Sequence, residues 1–99
     1  MSSPPALAPD TRLAPSADAV AGPLGDELVV LNLHDGAYYS LSPVAACAWE
    51  ALDGRRSIGD VAQIVVEQFD TDAATATRDL LELSAELLRA GLVTIAPQP

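Results

Sequence analysis

The chain has 99 residues, 49% of them hydrophobic, which is enough for one domain around one modest core and too apolar for disorder throughout. Asp and Glu number 14 against five basic residues, all arginine, and the formal net charge is -9. Such a charge repels phosphate and anionic lipid, and so argues against sequence-independent binding to DNA, RNA or a membrane surface.

Residues 1–10 are rich in Ser, Pro and Ala and read as a flexible tail, with a single domain expected over residues 11–95. The tail has neither the basic stretch nor the apolar run of a secretion signal. No segment approaches the ~18 apolar residues of a membrane span. A cytoplasmic protein is expected. Residues 13–20 predict a short first strand interrupted at Pro15, and Pro23 and Gly25 predict a turn. Residues 28–33, rich in Leu and Val, form the clearest strand, followed by the turn signal His34-Asp35-Gly36. Residues 37–41 make the second arm of a hairpin, with Tyr39 and Leu41 on one face and Tyr38 and Ser40 on the other.

Ser42-Pro43 opens a first helix, Ser as N-cap and Pro where its missing N–H costs nothing, and Asp53-Gly54 ends it. Its apolar face is Ala45, Ala48, Trp49 and Leu52. Ser57 and Asp60 resemble a capping box for a second helix with the stripe Ile58, Val61, Ala62, Val65 and Phe69. Asp70-Thr71-Asp72 breaks it, and a third helix is expected from about Ala73 to Ala90, with Gly91 just past its end. Leu81 and Leu83 of that helix lie ~160° apart, a wider arc than the ~100° needed to sit on one core. Leu81 and Leu88 are therefore expected to face the core, while Leu83, with part of Leu80 and Leu87, lines something else. Residues 92–95 predict a short closing strand. The expected fold is α+β, three N-terminal antiparallel strands followed by three helices.

Catalytic chemistry is missing from this pattern. Cys47, the single cysteine, excludes an intramolecular disulfide and reads as a small buried hydrophobe among alanines. His34, the single histidine, reads as a surface turn residue. The glycines make no phosphate loop, and nothing has metal-ligand spacing, so no cofactor is expected. The sequence points to a binding module and not to an enzyme. Two features support binding: the strand at residues 37–41, whose edge can accept an added strand, and the surplus apolar arc on the third helix. Together they make a groove for an extended peptide. The arc can equally cover a second part of the core, and periodicity alone does not separate the two.

A wider resemblance bears on that choice. The run Val29-Val30-Leu31-Asn32-Leu33, then Gly36-Ala37-Tyr38-Tyr39-Ser40-Leu41-Ser42-Pro43, then Ala45, Trp49 and Leu52-Asp53-Gly54, resembles the PqqD-like family. So do Phe69-Asp70, Asp79-Leu80 and Leu87-Leu88-Arg89-Ala90-Gly91-Leu92. The resemblance implies a winged helix-turn-helix-like fold that recognises the leader segment of ribosomally made, post-translationally modified peptides. It implies that the leader pairs with the strand holding Ala37, Tyr38, Tyr39, Ser40 and Leu41, against a helical wall of Asp79, Leu80, Leu83, Glu86 and Leu87. Asp79 would then pair with a basic or N–H group of the leader. The Gly-x-Tyr-Tyr-x-Leu strand and Trp49 are most similar to the standalone leader-binding proteins of lasso-peptide pathways. Their implied partners are the precursor leader peptide, a leader-cleaving cysteine protease and an ATP-dependent cyclase. The Pro-rich N-terminus and poor first strand depart from that pattern.

Three alternatives remain. A PqqD-type peptide chaperone for a radical-SAM enzyme differs in partner and not in binding physics. A winged-helix transcriptional regulator would want Lys or Arg along its recognition helix, where Asp79, Glu82 and Glu86 stand against Arg78 and Arg89. A small self-pairing protein would use the same free edge on its own copy.

Overall fold

In the computed structural model, which describes residues 7–97, eight elements follow one another. They are β1 (Leu13–Pro15), β2 (Ala19–Leu24), β3 (Glu27–Asn32), β4 (Tyr38–Leu41), α1 (Pro43–Ala51), α2 (Ile58–Gln68), α3 (Ala73–Arg89) and β5 (Val93–Ile95). The architecture is α+β: a three-stranded antiparallel sheet in the order β2-β3-β4, then three helices. A separate antiparallel ribbon pairs β1 with β5, Leu13 opposite Ile95 and Pro15 opposite Val93.

The sheet-then-helices order agrees with expectation, but the first strand does not. Residues 13–20 divide between two sheets, with β1 joining the closing strand and β2 running on through Pro23 to Leu24. The expected Pro23–Gly25 turn is replaced by a two-residue turn at Gly25-Asp26, with Leu24 opposite Glu27. Gly25 takes a φ of 63°, which a tight hairpin needs and which a side chain would resist. Pro23 is tolerated inside β2 because that strand is a sheet edge and Pro23 has no N–H to leave unpaired. The expected tail lies outside the described residues as far as residue 6. Leu7 packs against the core, and the Pro9 carbonyl accepts the Gly59 N–H at 2.8 Å.

Each helix begins as its sequence dictates. Ser42 Oγ accepts the Ala45 N–H at 3.2 Å, with Pro43 at the first helical position. Ser57 and Asp60 complete a capping box, the Asp60 N–H on Ser57 Oγ at 3.1 Å and the Ser57 N–H on Asp60 Oδ2 at 3.0 Å. Asp72 accepts the Thr75 N–H at 2.7 Å. α3 ends in a Schellman turn: the Gly91 N–H returns to Leu88 and the Leu92 N–H to Leu87. Gly91 supplies the left-handed residue at φ 74°, and Leu92, fully buried, lands on the core.

The backbone N–H of Ser57 holds the Asp60 carboxyl below its ordinary value, that of Thr75 does the same for Asp72, and those of Arg56 and Arg55 for Asp53. A carboxylate with a depressed native pKa stabilises the fold above its unfolded pKa and loses that effect as pH falls through the native one. Thermal stability is therefore expected to be level near neutral pH and to fall as pH drops below about 4. The Asp60→Ala, Asp72→Ala double variant, which removes two of the depressed carboxyls themselves, should show a shallower fall in a melting series from pH 7 to pH 2.

The core is a single cluster of buried residues from every element except β2, whose Ala19 packs against it partly buried. Its fully enclosed side chains include Leu13, Val30, Ile58, Val61, Leu92 and Val93. On α3 the buried stripe is Ala76, Leu80, Ser84 and Leu87. This corrects the expected split, because Leu80 and Leu87 are the core leucines. Leu81 and Leu88 pack half-buried on one shoulder of the stripe and Leu83 on the other. Helical spacing explains the arrangement: successive turns advance the stripe along residues 76, 80, 84 and 87, with Leu83 ~60° from Leu80 on the far side from Leu81.

Candidate functional site

Leu83, Asp79 and Glu86 share the shoulder of α3 that turns toward β4. Two adjoining hollows lie there. One, of about 620 Å³, runs between β4 and the C-terminal half of α3, bounded by Tyr39, Ser40, Leu41, Glu86, Leu87 and Arg89. The other, of about 400 Å³, opens between the start of α1, the end of α2 and the first half of α3, and is bounded by Val44, Val65, Phe69, Asp70, Asp79 and Leu80. Ser42, Ala45 and Leu83 border both, so the hollows form one continuous trough with Leu83 at its middle.

The trough borders an open backbone edge. The Asn32 N–H donates to the Ala37 carbonyl at 2.8 Å, and the register then puts Val30 opposite Tyr39 and Leu28 opposite Leu41. Antiparallel alternation turns the backbone groups of Ala37, Tyr39 and Leu41 toward β3 and those of Tyr38 and Ser40 away from the sheet. At the other edge the two-residue turn makes the outward groups of β2 those of Ala19, Ala21 and Pro23. The Ala19 N–H is already bonded to Ser16 at 3.1 Å, and Pro23 has none. β2 therefore presents one free donor at Ala21, whereas β4 presents a donor and acceptor at each of two positions beside an apolar trough.

The two walls are tied at one end. Asn32, 4% exposed, donates from Nδ2 to the Ala90 carbonyl at 2.9 Å and accepts the His34 N–H on Oδ1 at 2.8 Å. The β3–β4 turn is thereby fastened to the end of α3. Gly91 suits that position, since its φ of 74° resists a side chain and a Cβ would stand 3.2 Å from Asn32 Nδ2.

The sequence profile of coenzyme PQQ synthesis protein D (PqqD) matches residues 27–93. The chain belongs to the PqqD family. Two solved structures share the fold of this PqqD-family chain. One is TbiB1 in complex with the TbiA(beta) leader peptide, with TM-score 0.73, 25% identity, and 81% of this chain and 93% of that one covered. The other is lasso peptide synthetase B1 complexed with the leader peptide, also at TM-score 0.73 and 25% identity, covering 86% of this chain and 98% of that one. No curated protein sequence matches significantly.

Of the residues singled out from the sequence of this PqqD-family member, Tyr39, Ser40, Leu41, Leu83, Glu86 and Leu87 meet around the first hollow, and Asp79 and Leu80 border the second. Ala37 and Tyr38 border neither. Ala37 precedes β4, and Tyr38, 72% exposed, points off the opposite face of the sheet. Sequence reasoning missed Val44 as a wall residue. The helical stripe places it outside the core face of α1, and at 40% exposed it had no other assignment. Phe69 and Asp70, which the local signals place at the end of a helix, also border the second hollow. Asn32 was read as a strand residue, although a polar side chain on the inner face of an apolar strand needs a partner and could have been flagged for that reason.

Cys47 lies outside the trough, its Sγ 3.7 Å from Gln68 Oε1. Burial pushes its thiol pKa up, with the Glu50 carboxylate adding to the effect, which is opposite to the depression a nucleophilic thiol needs. Among the described residues no helix is long and apolar enough to cross a membrane, and no cluster of His, Cys, Asp and Glu could hold a metal ion.

Proposed function

We propose that this chain is a non-catalytic module that binds the leader segment of a ribosomally made precursor peptide by strand addition to β4. It would present the leader to modifying enzymes of lasso-peptide maturation, a leader-cleaving cysteine protease and an ATP-dependent cyclase. The observation that carries this reading is the asymmetry of the two sheet edges: β4 is open beside an apolar trough, and β2 is blunted. Main-chain bonds to Tyr38 and Ser40 supply affinity, and alternate leader side chains enter the trough and supply specificity. The leader complexes formed by both similar structures support the same reading. Tyr38, Tyr39, Ser40 and Leu41, entered from Ala37, would form the strand side of the site, and Asp79, Leu83 and Glu86 the helical side, over a floor to which the buried Leu80 and Leu87 contribute. Strand addition needs no cofactor. A cytoplasmic setting, where precursor and enzymes are made, fits this role.

The test is fluorescence polarisation of labelled peptides titrated with the protein. The panel holds a lasso-type leader, its scrambled form, a quinone-cofactor precursor and a DNA duplex. Saturable binding of the lasso-type leader alone is expected. Preference for the quinone-cofactor precursor would support instead a PqqD-type chaperone for a radical-SAM enzyme. DNA binding would support a winged-helix regulator. Ser40→Pro removes one outward N–H at a position where an edge strand accepts proline. Melting should change little, while leader affinity falls about tenfold, ~1.4 kcal/mol, the size of one lost main-chain bond. Unchanged affinity would move the leader off β4.

A further inference from the structure

The charges along the trough are ordered, and the order specifies the leader. Arg89 is the one cation among the residues bordering it, and it stands at the end beside Tyr39, with Glu86 next to it. Past the apolar middle at Leu83, the second hollow is bordered by Asp70 and Asp79 and by no cation. Both carboxylates are exposed at its rim, while Val44, Val65 and Phe69 line its walls. Asp79 has a loose neighbour in Arg78, its carboxylate 3.6 Å from Nε, but with both side chains more than 60% exposed such a pair is readily exchanged for a better one.

We infer that the leader taken by this trough carries a bulky apolar residue seated against Leu83, with a Lys or Arg on the side toward Asp79 and Asp70 and a neutral or acidic residue on the side toward Arg89. This rests on the leader-binding reading and deepens it. The spacing follows from the two backbones. Asp79 is about one helical turn from Leu83, ~6 Å, or about two residues of extended chain. Arg89 is ~9 Å from Leu83 in the other direction, or about three residues. An extended peptide in the trough therefore meets a charge-balanced position at Glu86 and Arg89, an apolar position and a cation-accepting position at intervals of about three and about two residues. The net charge of -9 attracts a cationic leader from a distance, and the local order then sets its direction along β4.

The test uses the lasso-type leader peptide, fluorescently labelled, and the full-length protein. Each Lys or Arg of the leader is changed singly to Glu, and the protein is made as wild type and as the Asp70→Lys, Asp79→Lys double variant. One cation close to an apolar residue should stand out: its reversal weakens binding to the wild type about tenfold, and the double variant recovers that loss while binding the unaltered leader about tenfold more weakly. Raising the salt from 50 mM to 500 mM should shrink both effects and leave the apolar part of the affinity. Overturning results are a bound leader with no such cation, reversals that all bind alike, or a double variant that rescues none of them. If the unaltered leader does not bind wild-type protein at all, the leader-binding reading falls first and this inference falls with it, an outcome distinct from binding that ignores charge.

Discussion

Leu83→Asp is expected to fold normally and to bind the leader ten- to a hundredfold more weakly. Leu83 is half-buried, borders both hollows and sits on the shoulder of α3 rather than on its core stripe. A carboxylate there can stay hydrated in the free protein, so the cost to folding is small. On binding, the leader would have to seat an apolar side chain against that carboxylate, losing the contact and dehydrating the charge. The lost contact alone is worth about 1.5–3 kcal/mol for a fully covered aliphatic side chain. Titration of labelled leader, with melting curves as control, measures both parts. A variant that melts like wild type and binds like wild type would remove Leu83 from the site and break the continuity of the two hollows.

Trp49→Ala should have the largest effect on stability. Trp49 is 6% exposed on the inner face of α1, within the single core cluster. Truncation of a buried aromatic leaves a cavity that close-packed neighbours fill only partly, at about 3–5 kcal/mol. That is a large fraction of the ~5–15 kcal/mol typical of a domain. The midpoint should fall by on the order of 20 °C, given ~4–8 °C per kcal/mol at this size. Tyr39→Ala is the informative contrast. Tyr39 is 39% exposed at the mouth of the trough, and its loss should affect leader affinity far more than melting. If instead Tyr39→Ala unfolded the protein, the trough beside β4 would be core in disguise.

The helices were legible in the sequence because their signals are local. Ser42-Pro43, the Ser57/Asp60 box, Asp72 and Gly91 each act within four residues, and each does in the fold what its spacing implies. The hairpin around Gly36 and the open strand after it were legible for the same reason. The apolar surplus on the third helix was also visible, as an arc too wide for one core. The division of that arc was not, because periodicity gives angles around a helix but no zero of angle. Packing set that zero at Leu80 and Leu87, leaving Leu83 to the trough. The first strand was misread because β1 is only three residues long and its partner β5 lies at the other end of the chain. Nothing in the neighbourhood of Leu13 encodes a pairing with Ile95; the two chain ends meet because the Schellman turn at Gly91 directs the chain after α3 back along β1.

The sequence by itself determined the class of molecule: an acidic α+β chain with a strand edge and a surplus apolar face, resembling the PqqD-like family. Only the tertiary structure decided that the edge and the face lie side by side, that Asn32 fastens the end of one to the end of the other, and that Val44, Phe69 and Asp70 complete the trough. The physical reason is distance along the chain. Caps, turns and stripes are settled by residues a few positions apart. The trough is a gap between β4, α1, α2 and α3, and the width and charge order of a gap belong to the packing of its walls, not to any one of them.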